Sequence, residues 1–206
     1  MNRLLAAAPI LVLFAAVVAA GPAGTAEPTP TPTPEANKPP NPFEFGTGVT
    51  PQLKAMSWIV GTWDVSMTYQ FPGGRSFKKD TESTIEPMLG GSFYREQITV
   101  PAGPTMDNHM VGIRSYDRFR NVYRLVWCDD VITLADVFEG ESSEGGFIVS
   151  NVKSNTAGTF AGKQSFLRIT QKEGSSRDEF LVEWEVSTDK GQTWFKSAEY
   201  AYKRKK

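Results

Sequence analysis

The chain has one cysteine, Cys128. No disulfide can form within it, so the fold must be held by its packed core. It has one histidine, His109, so Ser–His or Cys–His catalysis and polyhistidine metal sites would all have to use that residue. A phosphate-cradling glycine loop, a CxxC pair and a G-x-S-x-G nucleophile turn are all missing. Neither sign of charge dominates: 22 Lys and Arg against 23 Asp and Glu leave a formal net charge of −1. That balance gives no reason to expect a nucleic-acid partner. Beyond one short stretch after residue 50 no helical period stands out, which argues against alternating helices and parallel strands.

What is present divides the 206 residues into three parts. Residues 1–26 read as a signal peptide: Arg3 and the amino terminus supply positive charge, 4–20 are uncharged and apolar, and Gly24-Thr25-Ala26 and Val18-Ala19-Ala20 are the two candidate cleavage sites. The apolar run is short for a bilayer span, so no stable span is expected after cleavage. Residues 27–49 read as a Pro/Thr-rich linker, and half of the chain's 14 prolines lie between Glu27 and Pro42. Such a segment favours extended polyproline II and spans on the order of 50 Å at about 3.1 Å per residue. Residues 50–206 carry all five tryptophans and form the folded domain. The expected location is outside the cytoplasm, periplasmic or extracellular.

The domain is organised around 63–71, which alternates without a fault. Trp63, Val65, Met67, Tyr69 and Phe71 share one face; Asp64, Ser66, Thr68 and Gln70 share the other. A period of two is a strand with one buried side. Before it, Thr50-Pro51 is an N-cap with proline at the first helical position, and Leu53, Met56 and Val60 follow at helical spacing up to Gly61. Further strands are predicted at 77–86, 92–100, 109–116, 122–128, 131–139, 147–154, 163–171, 179–187 and 194–203, separated by turn residues. On 92–100, Tyr94, Glu96, Ile98 and Val100 share a face opposite Phe93, Arg95, Gln97 and Thr99. Cys128, after Trp127, reads as a small apolar filler. About ten short sequential strands leave two raw edges unless the sheet closes. The fold expected is therefore all-β, a single closed antiparallel barrel of about ten strands with a short N-terminal helix closing one end. A two-sheet sandwich is the alternative.

Several short motifs fall in order along the domain. Gly61-Thr62-Trp63 is a G-x-W entry; Leu89-Gly90-Gly91-Ser92-Phe93, Tyr116-Asp117 and Trp127-Cys128-Asp129 follow. Taken together, over about Leu53 to Arg204, this set resembles a family of bacterial, often exported proteins known as a domain of unknown function, lipocalin-like within the calycin group. The resemblance implies a barrel whose tryptophan plugs the closed end, with a basic residue of the last strand, Lys203 or Arg204, across the indole. It implies no reaction. Separately, 187–194 fits the S-x-D-x-G-x-T-W pattern of a local Asp-box hairpin. Asp189 would bond turn amides, Gly191 would take a positive φ and Trp194 would pack on the hairpin.

Candidate ligand-binding residues are those a hollow barrel would need inside: Tyr69, Arg95, Arg114, Tyr116, Trp127 and Trp184. Guanidinium groups in such a chamber would suit a carboxylate-bearing apolar ligand. The leading reading is an exported barrel that binds a small, largely apolar or amphipathic molecule, with no catalytic residue and no metal site assigned. One branch of it is haem with His109 as axial ligand; the alternative for His109 is a surface or rim position. A second reading is an enzyme using His109, or Asp129, Glu183 and Glu185, in the same chamber. A third is a surface-displayed module that binds protein or glycan. The oligomeric state is not legible in the sequence.

Overall fold

The computed structural model describes residues 49–71, 73–101, 106–160 and 162–206. The expected signal peptide and nearly all of the expected linker lie outside the described residues. Thr50 opens α1 (Pro51–Ala55) as its N-cap, its Oγ1 accepting from the Leu53 amide at 3.3 Å. A 3-10 turn over Ser57–Ile59 follows, so Leu53, Met56 and Ile59, rather than Val60, supply the buried stripe.

Ten strands then close into a barrel: β1 (Gly61–Gln70), β2 (Ser76–Met88), β3 (Phe93–Pro101), β4 (Asp107–Asp117), β5 (Val122–Asp129), β6 (Ala135–Ser143), β7 (Gly146–Ser150), β10 (Phe166–Glu173), β11 (Glu179–Ser187) and β12 (Phe195–Arg204). A two-stranded hairpin, β8 (Thr159–Phe160) with β9 (Lys163–Gln164), interrupts the meander between β7 and β10. Every barrel pair is antiparallel, and β1 closes the wall by pairing with β12, Trp63 opposite Arg204 and Tyr69 opposite Ala198. Closure leaves no raw sheet edge in the barrel. Alternate residues therefore point inward all round: Trp63, Val65 and Met67; Tyr94, Glu96 and Ile98; Leu125 and Trp127; Val182 and Trp184; Tyr200 and Tyr202 are all buried. The opening strand stops one residue early, and Phe71 lies exposed in the turn to β2. The same alternation turns Cys128 outward, where it is exposed instead of filling the core.

One end is plugged by Trp63. Its indole nitrogen donates to the Ile59 carbonyl at 2.8 Å, and its ring meets Phe180 edge-on at 4.7 Å between centroids. Of the two basic residues offered for the place across the ring, Arg204 takes it, 4.3 Å from the centroid. The Arg204 guanidinium also donates to the carbonyls of Val60 and Trp58 and pairs with Asp178. Gly61 is required here. Its φ is +143°, and a Cβ would sit 2.5 Å from Arg204 Nη1. The helix is fastened to the same end by the Tyr94 hydroxyl, which donates to the Leu53 carbonyl at 2.9 Å.

Turns are set by carboxylates. Asp117 accepts from the amides of Phe119 and Arg120, at 3.0 and 3.1 Å, between β4 and β5. Asp129 accepts from those of Val131 and Ile132. That second cap delays β6, expected from 131, until Ala135, and leaves Val131 and Ile132 exposed. β7, expected to reach 154, stops at Ser150. The next residue, Asn151, turns its amide to Asp136 Oδ2 at 2.8 Å and accepts from the Leu167 amide at 2.8 Å. Gly90 and Gly91 form the 3-10 turn between β2 and β3.

At 187–194 the Asp189 carboxylate accepts from the Thr193 amide at 2.9 Å and from the Ser187 and Thr193 hydroxyls at 2.6 Å. Gly191 has φ +85°, and Trp194 lies under the Arg168 guanidinium at 4.5 Å. The Ser187 and Thr193 hydrogen bonds hold the Asp189 carboxyl down at about 2, below its ordinary 3.8. A folded value below the unfolded one means that the turn's stabilisation is present above the ordinary value and is lost as pH falls towards 2. Protection of the Thr193 amide, its exchange measured by NMR against the rate of an unstructured peptide at the same pH, is therefore expected to fall between about pH 4 and pH 2. In Asp189→Asn that acid step should be missing and exchange already fast at neutral pH.

Candidate functional site

The barrel interior carries polar groups in an otherwise apolar lining. Glu96 alternates with Tyr94, Ile98 and Val100 on the inward face of β3 and is 0% exposed. Arg114, inward on β4 and 3% exposed, donates from Nη2 to Glu96 Oε2 at 2.5 Å. The other carboxylate oxygen, Oε1, accepts from the Ser83 hydroxyl at 2.7 Å and the Tyr202 hydroxyl at 2.8 Å. Strand pairing delivers these groups to one place. Glu96 lies opposite both Ile85 and Gly112, and Gly112 opposite Trp127. A Cβ on Gly112 would lie 2.7 to 2.9 Å from the Trp127 ring, so the missing side chain is what lets that indole lie against β4. The Arg114 guanidinium sits 5.9 Å from the Trp127 centroid.

From Trp127 a series of rings crosses the interior. Trp184 is 6.0 Å from Trp127 and 5.8 Å from Tyr200, and the Tyr200 hydroxyl meets that of Tyr69 at 2.9 Å. Burial pushes the Tyr200 and Tyr202 hydroxyls well above their ordinary range and raises that of Tyr69, which keeps them protonated. Asp136, inward on β6 opposite Trp127, is also pushed up by burial, against hydrogen bonds from Thr156 and Asn151.

Buried polar atoms are almost always paired in folded proteins. Here Nε and Nη1 of Arg114, the indole nitrogens of Trp127 and Trp184, and both amide atoms of Gln171 are buried without a partner among the described residues. Asn108 Oδ1, inward on β4, is another. Gln171 lies opposite Val182 and Phe147, so it projects into the same interior as Trp184.

Three of the six expected ligand residues, Arg114, Trp127 and Trp184, thus converge. Tyr69 joins them through Tyr200. Tyr116 shares the strand and the phase of Arg114 but is only half-buried, its ring 5.1 Å from that of Tyr123. Arg95 is a correction: it points outward and pairs with Glu86 at 2.7 Å, because its neighbours Tyr94 and Glu96 occupy the inward phase of β3. His109, the residue offered as a haem ligand, lies at the outer rim, its side chain 69% exposed and Nδ1 2.7 Å from Asp130. The carboxylates offered for acid–base work are dispersed. Glu183 is shared by Lys172 and Lys196, Glu185 is paired with Arg168, and Asp129 caps its turn. Glu96, Gln171 and Gly112 were not singled out from the sequence. The signal for Glu96 was there, as a charge in the apolar phase of an alternating strand.

Grooves also cross the outer wall. One of about 890 Å³ passes Asp64, Glu82, Glu179 and Lys203; another, of about 480 Å³, passes Arg168 and Trp194.

No curated protein sequence matches this chain. The crystal structure of Rv2717c from M. tuberculosis is similar, with 18% identity and a TM-score of 0.57, covering 77% of this chain and 100% of that one. That likeness extends to the barrel fold. A redesigned β-barrel matches at 11% identity and a TM-score of 0.39, covering 74% of this chain and 96% of that one. A family model described as "Protein of unknown function (DUF1579)" matches residues 50–204, the whole barrel with its capping helix, and the chain belongs to that family.

Proposed function

We propose that the protein is an exported carrier that binds a small, largely apolar molecule inside the barrel and performs no chemistry on it. The observation that carries this reading is the set of buried, partnerless polar atoms of Arg114, Trp127, Trp184 and Gln171 among aromatic walls. Leaving such groups unmade costs about 1–3 kcal/mol each, so a stable barrel gains by offering them to a guest. Specific ligand chambers combine the same two elements, an apolar lining and a few placed polar groups. Further support comes from the end opposite Trp63, where the exposed apolar residues Phe71, Phe77, Val131, Ile132 and Phe195 stand on the turns and strand ends. The plug itself, Gly61 and Trp63 under Arg204, supports kinship with lipocalin-like barrels. Export rests on the apolar leader.

The test uses N-phenyl-1-naphthylamine, an uncharged fluorescent probe. Saturable one-to-one binding is expected, with energy transfer from tryptophan that falls in Trp127→Phe and Trp184→Phe. Absence of saturable binding up to the solubility of the probe would overturn the proposal.

A further inference from the structure

We infer that the guest is an aromatic, apolar molecule whose polar end is an uncharged hydrogen-bond acceptor, a carbonyl, and not a carboxylate. This rests on the reading of the interior as a ligand chamber and deepens it. The argument is a balance of charge and of hydrogen-bonding capacity.

The charge balance is already closed. Among the described residues, the buried ionisable side chains of acid or base type are Glu96, Arg114 and Asp136, two carboxyls and one guanidinium. Arg114 spends one donor on Glu96. A carboxylate arriving at its remaining nitrogens would be a further anion facing a single cation, in surroundings that solvate charge poorly. Asp136 offers a newcomer no positive charge. It is held against Thr156 and Asn151 and has no cation as partner among its hydrogen bonds.

The hydrogen-bonding balance is open, and it is open on one side. The partnerless interior atoms comprise five donor nitrogens (Nε and Nη1 of Arg114, the two indoles and Gln171 Nε2) and two acceptor oxygens, on Gln171 and Asn108. A surplus of donors asks for an acceptor. A carbonyl oxygen accepts two hydrogen bonds without bringing charge. The surrounding rings of Trp127, Trp184, Tyr200 and Tyr69, each 5.8 to 6.0 Å from the next, favour a flat body on that carbonyl.

Three probes of one shape separate the possibilities: 2-acetylnaphthalene, 2-ethylnaphthalene and 2-naphthoate, with binding read by tryptophan quenching at pH 7. The ketone is expected to bind about tenfold or more tightly than the hydrocarbon and than the carboxylate. Trp127→Phe and Trp184→Phe, which keep a ring and remove the N–H, should each lower the ketone-to-hydrocarbon ratio severalfold. Glu96→Gln frees the Arg114 charge and should invert the ketone-to-carboxylate order. Equal affinity for ketone and hydrocarbon, or tighter binding of 2-naphthoate to the unaltered protein, would overturn the inference while N-phenyl-1-naphthylamine still bound. Failure of every probe, that one included, would overturn the chamber itself.

Discussion

Arg114→Met is expected to lower folding stability by about 3–5 kcal/mol, because it strands a carboxylate in the middle of the barrel. Glu96 is fully buried, and its Oε2 contact to Arg114 is its single ionic one among the described residues; Ser83 and Tyr202 serve Oε1 with neutral hydroxyls. Two hydroxyl hydrogen bonds do not repay the desolvation of a bare carboxylate. Removing both charges, in Arg114→Met with Glu96→Leu, should recover much of the loss, since apolar pairs of similar volume commonly replace buried ion pairs without penalty. The recovery should fall short by about 1–3 kcal/mol for each hydroxyl that loses its acceptor. Adding Ser83→Ala and Tyr202→Phe should restore that shortfall. Urea unfolding of the unaltered protein and the three variants measures the series, with the slope checked for constancy. A cost under about 1 kcal/mol for Arg114→Met alone would mean that water reaches the pair and that its other nitrogens are not waiting for a guest.

The pattern that made the barrel readable is the one that hid its centre. Alternation over Trp63, Val65 and Met67 announces a strand because one face is uniformly apolar, and the period alone fixes which side chains go inward. Most strands were legible for this reason, as were the turns at Asp117 and Asp189, where a carboxylate and a following glycine or polar residue act locally. The start of β6 was not legible, because Val131 and Ile132 look like strand residues while the backbone obeys the Asp129 cap before them. Arg95 and Arg114 could not be told apart by residue type. Arg95 shares its phase with Phe93, Gln97 and Thr99, the outer face, and Arg114 shares its phase with Gly112 and Asn108, the inner one. The inward phase of β3 included Glu96, and a residue that costs so much to bury is the one to ask about first. The convergence of Arg114, Trp127, Trp184 and Gln171 depends on register across β4, β5, β10 and β11. No local window of sequence contains it.

Trp63→Ala should cost about 3–5 kcal/mol, comparable to breaking the ion pair but for a different reason. The side chain is 0% exposed and packs on Phe180 and Tyr202, so truncation leaves a hole that a closed wall cannot collapse to fill. It also removes the donor to Ile59 and the ring beneath Arg204, which loosens the helix end and the last strand together. Because Trp63 faces Arg204 across the β1–β12 seam, the damage should concentrate where the two ends of the barrel chain meet. Amide exchange should therefore rise first at Val65 and Tyr202, beside the plug, while β5 and β6 on the far wall keep their protection. Trp63→Phe retains part of the packing and should lose less, and in that background Arg204→Met should cost less than it does beneath an intact indole, a difference that a double-mutant cycle reports. Uniform loss of protection around the whole barrel in Trp63→Ala would instead mean that the seam has no separate stability and that closure and core form in one step.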